Sequence, residues 1–298
     1  MSKRSASSAS VLAQYRKRGR FGDLFHRIMK NKGAIVGLII LCIMVLTFFY
    51  SLTISWDSIT AASVPDILAA PSWRLPFGAD DMGRNLFLRV VYGSRYSLAI
   101  GFGAVLIGLI LGLFLGCISG YFGGKIDVFI MRVCDVMSSI PGILFPMVIM
   151  TALGQSLLNL ILAMGITSIP LYARISRASM LSVRGEEFIE AARSIGFSNF
   201  RVIFTEVLPN GMAPIIITVT TSLGMTILGA AGLSFIGYGV RPPAPEWGGL
   251  VSSGRSLIRS APWVSLFPGI IIMITVLAFS MLGDGLRDAL DPKLKGRR

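Results

Sequence analysis

Apolar residues in this chain come in long runs rather than in the alternating or one-sided patterns of soluble elements. Six runs approach or reach the length of about 20 residues with which a helix crosses a bilayer. They are Ala34 to Thr53, Leu98 to Cys117, Val136 to Leu153, Leu157 to about Tyr172, Met212 to Tyr238 and Val264 to Leu282. The pattern predicts an all-α, polytopic membrane protein with about six transmembrane helices. Pro141, Pro146 and Pro170 interrupt the third and fourth runs, and only Gly154, Gln155 and Ser156 separate them. Their boundaries are therefore the softest, and the third helix could begin in the cytoplasm as early as Ile126. Within the second run Gly108, Gly112 and Gly116 stand four apart, with Gly120 one step further. Such a stripe admits a second backbone at close range, so it predicts internal helix packing. Gly229, Ala230, Ala231 and Gly232 carry the same expectation for the fifth run.

Composition supports the membrane class. Of 298 residues, 53% are hydrophobic and only 14% charged, too few charges to cover a soluble domain of this size. The net charge of +13 would by itself suggest nucleic acid, but nine of the 28 basic residues lie in the first 33 positions, beside an apolar run. Basic residues in that place are an orientation signal, so no nucleic-acid partner is expected. With six spans, twenty-one Lys and Arg fall on the side of both termini and seven on the other, which predicts cytoplasmic N- and C-termini. The chain divides into a basic cytoplasmic segment (1–33), a first span (34–55), an extracytoplasmic loop (56–93), a five-span core (94–287) and a cytoplasmic tail (288–298). No cleavable signal peptide is evident: the polar start runs to about Lys32 and the first apolar run is too long. Cys42, Cys117 and Cys134 sit in or beside apolar runs and read as packing groups.

The cytoplasmic loop 186–209 is the most informative stretch. Phe188, Ala191, Ala192 and Ile195 stand at i, i+3, i+4 and i+7, on one face of a short helix that Gly196 can end. A second helix follows, with Phe197, Phe200, Phe204 and Val207 on one side and a stop at Leu208-Pro209. Amphipathicity alone leaves open whether this hairpin packs on its own bundle or meets a partner.

Glu190-Ala191-Ala192, then Gly196, then Leu208-Pro209 resembles the coupling loop of importer-type ABC transporter permeases, with Glu206 where that pattern has isoleucine. Three further segments resemble the dipeptide/oligopeptide/nickel group of that family, as its C-type subunit. They are Pro76 to Asn85 with Tyr92 to Leu98, Ser234 to Gly248, and Leu282 to Lys293. The resemblance implies a type I ABC importer permease fold in a bacterial inner membrane. It implies a heterodimer with a second homologous permease, two ATP-binding subunits and an extracytoplasmic substrate-binding protein. Glu190, Ala191, Ala192, Gly196, Leu208 and Pro209 would then dock on an ATPase. ATP and Mg would sit on those partners, with no cofactor and no enzymatic activity on this chain. Short peptides are the implied cargo, with nickel or glutathione as alternatives.

Charged residues near the spans leave two readings open. Asp127, Arg132 and Asp135 either form an ion pair at the cytoplasmic rim, Arg132 and Asp135 being three apart on a helix, or line the inner mouth of a pathway. Asp80, Asp81 and Arg84 pair locally or, with Glu246 and Trp247, face a docking protein; Trp247 would also suit the membrane interface. The nearest approach to a phosphate-binding loop, Gly124-Lys125, has Ser119 at the first glycine position and Ile126 at the hydroxyl position. The sole histidine, His26, lies in the basic segment, so neither a His-based triad nor a metal site is expected. A secondary transporter or channel would share the composition but more often carries intramembrane carboxylates or inverted repeats, neither of which is conspicuous.

Overall fold

A computed structural model describes residues 28–290, all-helical in architecture, with one isolated bridge (Ala79 to Asn85) outside the helices. His26, most of the basic segment and the end of the tail (Asp291, Pro292, Lys293) lie outside the described residues. The first span, α1 (Lys32–Ser51), starts where the Asn31 side chain accepts the Ala34 N–H at 3.1 Å. Helix α2 (Leu86–Phe122) is capped in the same way by Asn85 and ends at Gly123, whose φ of +68° suits glycine. Helices α3 (Gly124–Ser139) and α4 (Leu144–Leu153) follow, then α5 (Leu157–Val183), capped by Ser156. After the loop 186–209 come α7 (Met212–Phe235), the short helix α8 (Trp247–Ser253) and α9 (Trp263–Leu290); α6 (Glu187–Ser194) belongs to the loop.

Among the described residues five helices, α1, α2, α5, α7 and α9, are long and apolar enough to cross a membrane, and α3 with α4 makes a sixth, broken element. The third run is thus corrected. Instead of one helix from Val136 to Leu153, two helices meet at 87°. Proline explains the break: Pro141 has no N–H and forces Ile140 out of the helical region to φ −78°, ψ 127°. Pro170 behaves differently, buried inside an unbroken α5 that continues eleven residues past Tyr172. That extension removes Arg174 and Arg177 from the loop and places them on a helix.

Close packing is built on small residues. A Cβ on Gly112 would lie 2.5 Å from the Tyr172 Cβ, and one on Gly120 would lie 2.6 Å from the Met180 Cβ. Gly108 meets Ser168 and Gly116 meets Ala173 in the same way, so the stripe seats α2 on α5 backbone to backbone. Gly37 brings α1 against Ala278 of α9, and Gly224 brings α7 against Val276. The fifth-run cluster is only half as expected: Ala230 and Ala231 are buried, but Gly229 is exposed and a Cβ on Gly232 would meet nothing within 4 Å.

Residues 56–85 and α8, together the outer lobe, enclose most of the residues considered for a docking protein, which corrects that reading. Asp80, only 2% exposed, accepts the N–H groups of Met82 and Arg84 and pairs with Arg84 Nε at 2.7 Å and Arg89 Nε at 3.4 Å. Glu246 is equally buried, capping α8 by accepting Gly248 N and Gly249 N at 2.8 Å each. Burial pushes its carboxyl above the usual range, against the pull of those N–H groups and of the neighbouring Ser234 and Ser97 hydroxyls. Trp247 is a core residue, not an interfacial one. It lies over Gly93, with its Nε1 donating to the Val90 carbonyl at 2.8 Å and its backbone N–H to Ser97 Oγ at 3.1 Å. Only Asp81, half exposed and 3.5 Å from Arg84, faces outward. Removing one partner from a buried ion pair leaves its counter-charge uncompensated.

Two outcomes follow for the purified protein in detergent, both read by thermal unfolding. Gly112→Leu overpacks the α2–α5 seam and lowers stability by at least about 1–3 kcal/mol, whereas Gly232→Ala stays within about 1 kcal/mol and leans toward stabilisation. Asp80→Asn costs about 3–5 kcal/mol, while Asp81→Asn falls within about 0.5 kcal/mol of the parent.

Candidate functional site

The loop 186–209 is a short helix, a sharp turn and an irregular second helical segment. Glu186 stands at the N-cap of α6, and Glu187 and Glu190 occupy its first turn, where carboxylates suit the positive end of the helix dipole. The helix closes when Phe197 N–H donates to the Ala192 carbonyl at 3.2 Å and Gly196 N–H to that of Arg193 at 2.9 Å. This is the Schellman pattern, and Gly196 takes the left-handed φ of +87° it requires. A Cβ on Gly196 would meet nothing within 4 Å, so only its backbone conformation demands glycine.

The second segment, 199–210, is an α-turn (Asn199–Arg201), a π-helical stretch (Val202–Val207) and a last turn (Leu208–Asn210). Pro209 lacks an N–H and crowds the preceding turn, and the Leu208 N–H reaches back five residues to the Ile203 carbonyl. The expected stop at Leu208-Pro209 moves accordingly to Asn210 and Gly211.

Two faces of the loop differ. Ile189 (0% exposed) and Ala192 point into a cluster with Cys117, Tyr121, Met180, Val202, Ile203 and Val207. Phe188, Ala191 and Ile195 (72%) point outward. The expected single face of Phe188, Ala191, Ala192 and Ile195 is therefore split. Ile189, about 100° round the helix from Phe188, widens the apolar arc beyond what one contact can cover. Beyond the turn, Phe200 (71%) and Phe204 are also exposed, with ring centres 4.5 Å apart, while Val207 is buried. Phe197 is half-buried beneath the Arg201 guanidinium, 3.8 Å from its ring centre. The π-helical stretch breaks the 3.6-residue period that would have put Phe204 and Val207 together. The result is an outward apolar surface on a loop whose other side is anchored in the bundle.

The charges near the third run pair across elements. Asp127 binds Arg177 of α5, Oδ2 to Nη2 at 2.6 Å, and accepts from Ser119. Asp135 lies 3.5 Å from Arg174, which also donates to Ser138 Oγ at 2.7 Å. The anticipated Arg132–Asp135 pair is thus replaced, and among the described residues Arg132 has no ion-pair partner. The extension of α5 supplies the arginines; a loop reading of Ala173 onward hides them. Among the described residues no cluster of His, Cys, Asp or Glu is arranged to hold a metal.

Residues 108–296 match the family described as binding-protein-dependent transport system inner membrane component. A dipeptide transport system permease protein, DppC of Alkalihalophilus pseudofirmus, is 46% identical over 95% of this chain and 93% of its own. The glutathione transport system permease protein GsiD of Pectobacterium atrosepticum is 38% identical over 92% and 91%. Among solved structures, a chain of the inward-facing MetNI methionine ABC transporter superposes with a TM-score of 0.58 at 19% identity, covering 69% of this chain and 98% of its own. That likeness concerns the fold, and the sequence relatives carry the assignment. The chain belongs to the binding-protein-dependent transport system inner membrane component family, as a multi-pass permease subunit of an ABC transporter.

Proposed function

We propose that this chain is one permease half of an ATP-driven importer of short peptides. Its partners are a second, homologous permease, two ATPase subunits that bind ATP and Mg, and an extracytoplasmic binding protein that delivers cargo. The chain itself hydrolyses nothing and holds no cofactor. One observation carries the docking role: Phe188, Ala191, Ile195, Phe200 and Phe204 stay exposed on a loop whose opposite face is buried. An ATPase groove closing over these side chains would bury them and push on α6. Nucleotide on one side and loaded binding protein on the other would then bias a two-state permease.

Charge and contact support an orientation in a bacterial inner membrane with both termini in the cytoplasm. Asn31 Nδ2 donates to Asp288 Oδ2 at 2.8 Å, so the start of α1 and the end of α9 share a side, the one richer in Lys and Arg. Dipeptide cargo is favoured by the name of the 46% relative, and glutathione, itself a tripeptide, by that of the 38% relative.

Ile195→Asp tests docking. The side chain is exposed, so its own fold should change by less than about 0.5 kcal/mol. Retention of the ATPase subunits on co-purification and uptake of labelled dipeptide should each fall at least about tenfold. Glu190→Lys should lower uptake with membrane levels unchanged. Normal retention and uptake in both variants would refute the docking role. Competition of dipeptide uptake by excess glutathione separates the two cargoes.

A further inference from the structure

Besides its apolar base, the cytoplasmic loop makes a directional contact with the second span. Tyr121 stands in the last turn of α2, almost fully buried. Its hydroxyl donates to Asn199 Oδ1 at 2.8 Å, and the Arg193 guanidinium lies 5.0 Å from the centre of its ring. One side chain of the span is thus held by both parts of the loop, by α6 through Arg193 and by the 199–210 segment through Asn199. The same end of α2 is tied to α5, because Arg184 Nη1 donates to the Gly120 carbonyl at 2.8 Å.

Apolar contact is non-directional and lets surfaces slide past one another. A hydrogen bond weakens steeply once its length and angle depart from ideal, so it transmits displacement where the apolar base would yield. Leucine at 121 would keep an apolar contact with the base, but only an aromatic ring with a hydroxyl serves both grips. Helix α2 then runs 37 residues without a break, about 55 Å at 1.5 Å per residue. Its far end carries Gly93 and Ser97, against which Trp247 of the outer lobe is seated.

We infer that Tyr121 is the positioning residue through which movement of the cytoplasmic loop is imparted to α2 and, along it, to the outer lobe. This rests on the docking role proposed above. The test uses the assembled transporter in proteoliposomes. Tyr121→Phe keeps the ring and removes the bond to Asn199; Asn199→Ala removes the acceptor. Each should lower peptide uptake, and the ratio of binding-protein-stimulated to basal ATP hydrolysis, about threefold to tenfold, the worth of one hydrogen bond. The complex should be recovered at parental yield. The double variant should be no worse than either single one, because both break the same bond. Tyr121→Leu should fall further, having lost both grips. Parental uptake in Tyr121→Phe and Asn199→Ala, losses that multiply in the double variant, or losses that track the yield of complex would each overturn the inference. Failure of docking itself would appear separately, as ATPase retention unaffected by Ile195→Asp.

Discussion

In lipid an apolar helix is as well solvated by acyl chains as by its neighbour, so burial alone gives α2 no reason to choose α5. What selects the pair is approach at backbone range along Gly108, Gly112, Gly116 and Gly120, where no larger side chain fits. Much of the end that carries the loop 186–209 follows from that contact. Because α5 is held in this register, Arg174 and Arg177 arrive opposite Asp135 and Asp127, and α3 is clasped to the bundle. In the same register Arg184 reaches the end of α2, and Met180 supplies the floor of the cluster that holds α6.

The two ends of the molecule are built to opposite rules. Outside the membrane, charges are taken in: Asp80, Arg84, Arg89 and Glu246 are buried and answered by partners or backbone N–H groups. At the end that carries the loop 186–209, apolar groups are left out, from Phe188 to Phe204. An outer lobe closed over its own ion pairs resists deformation, since each opened pair would strand a charge. The loop 186–209, with its bare aromatic groups, is the surface on which the proposed docking rests.

Much of this was legible in the sequence, for identifiable reasons. Span length marks six apolar runs, five of which are single helices long enough to cross a membrane, because bilayer thickness acts on whole segments. The glycine stripe was legible because its spacing matches one helix face. The loop's exposed face was only partly so: Ile189 and Phe204 depend on where the bundle lies and on a local change of helical period at Val202–Val207. Pro170 and Pro141 look alike as residues, yet one lies inside a helix and the other breaks one. Neighbouring packing decides between them, and a linear pattern does not record it. The burial of Trp247 was hidden for the same reason, since its site is made by Gly93, more than 150 positions away.

The break at Pro141 also bears on how the protein is made. Helix α4 has 10 residues, about 15 Å of rise, roughly half of a hydrocarbon core about 30 Å thick. Such a segment is too short to partition into the bilayer as an independent span when it leaves the ribosome. Helix α5, which follows after only three residues, must be synthesised before α4 has a surface to lie against. The two would therefore enter the membrane together, as a hairpin whose shorter arm depends on the longer. The order of synthesis becomes part of what the sequence between Ile140 and Leu157 specifies.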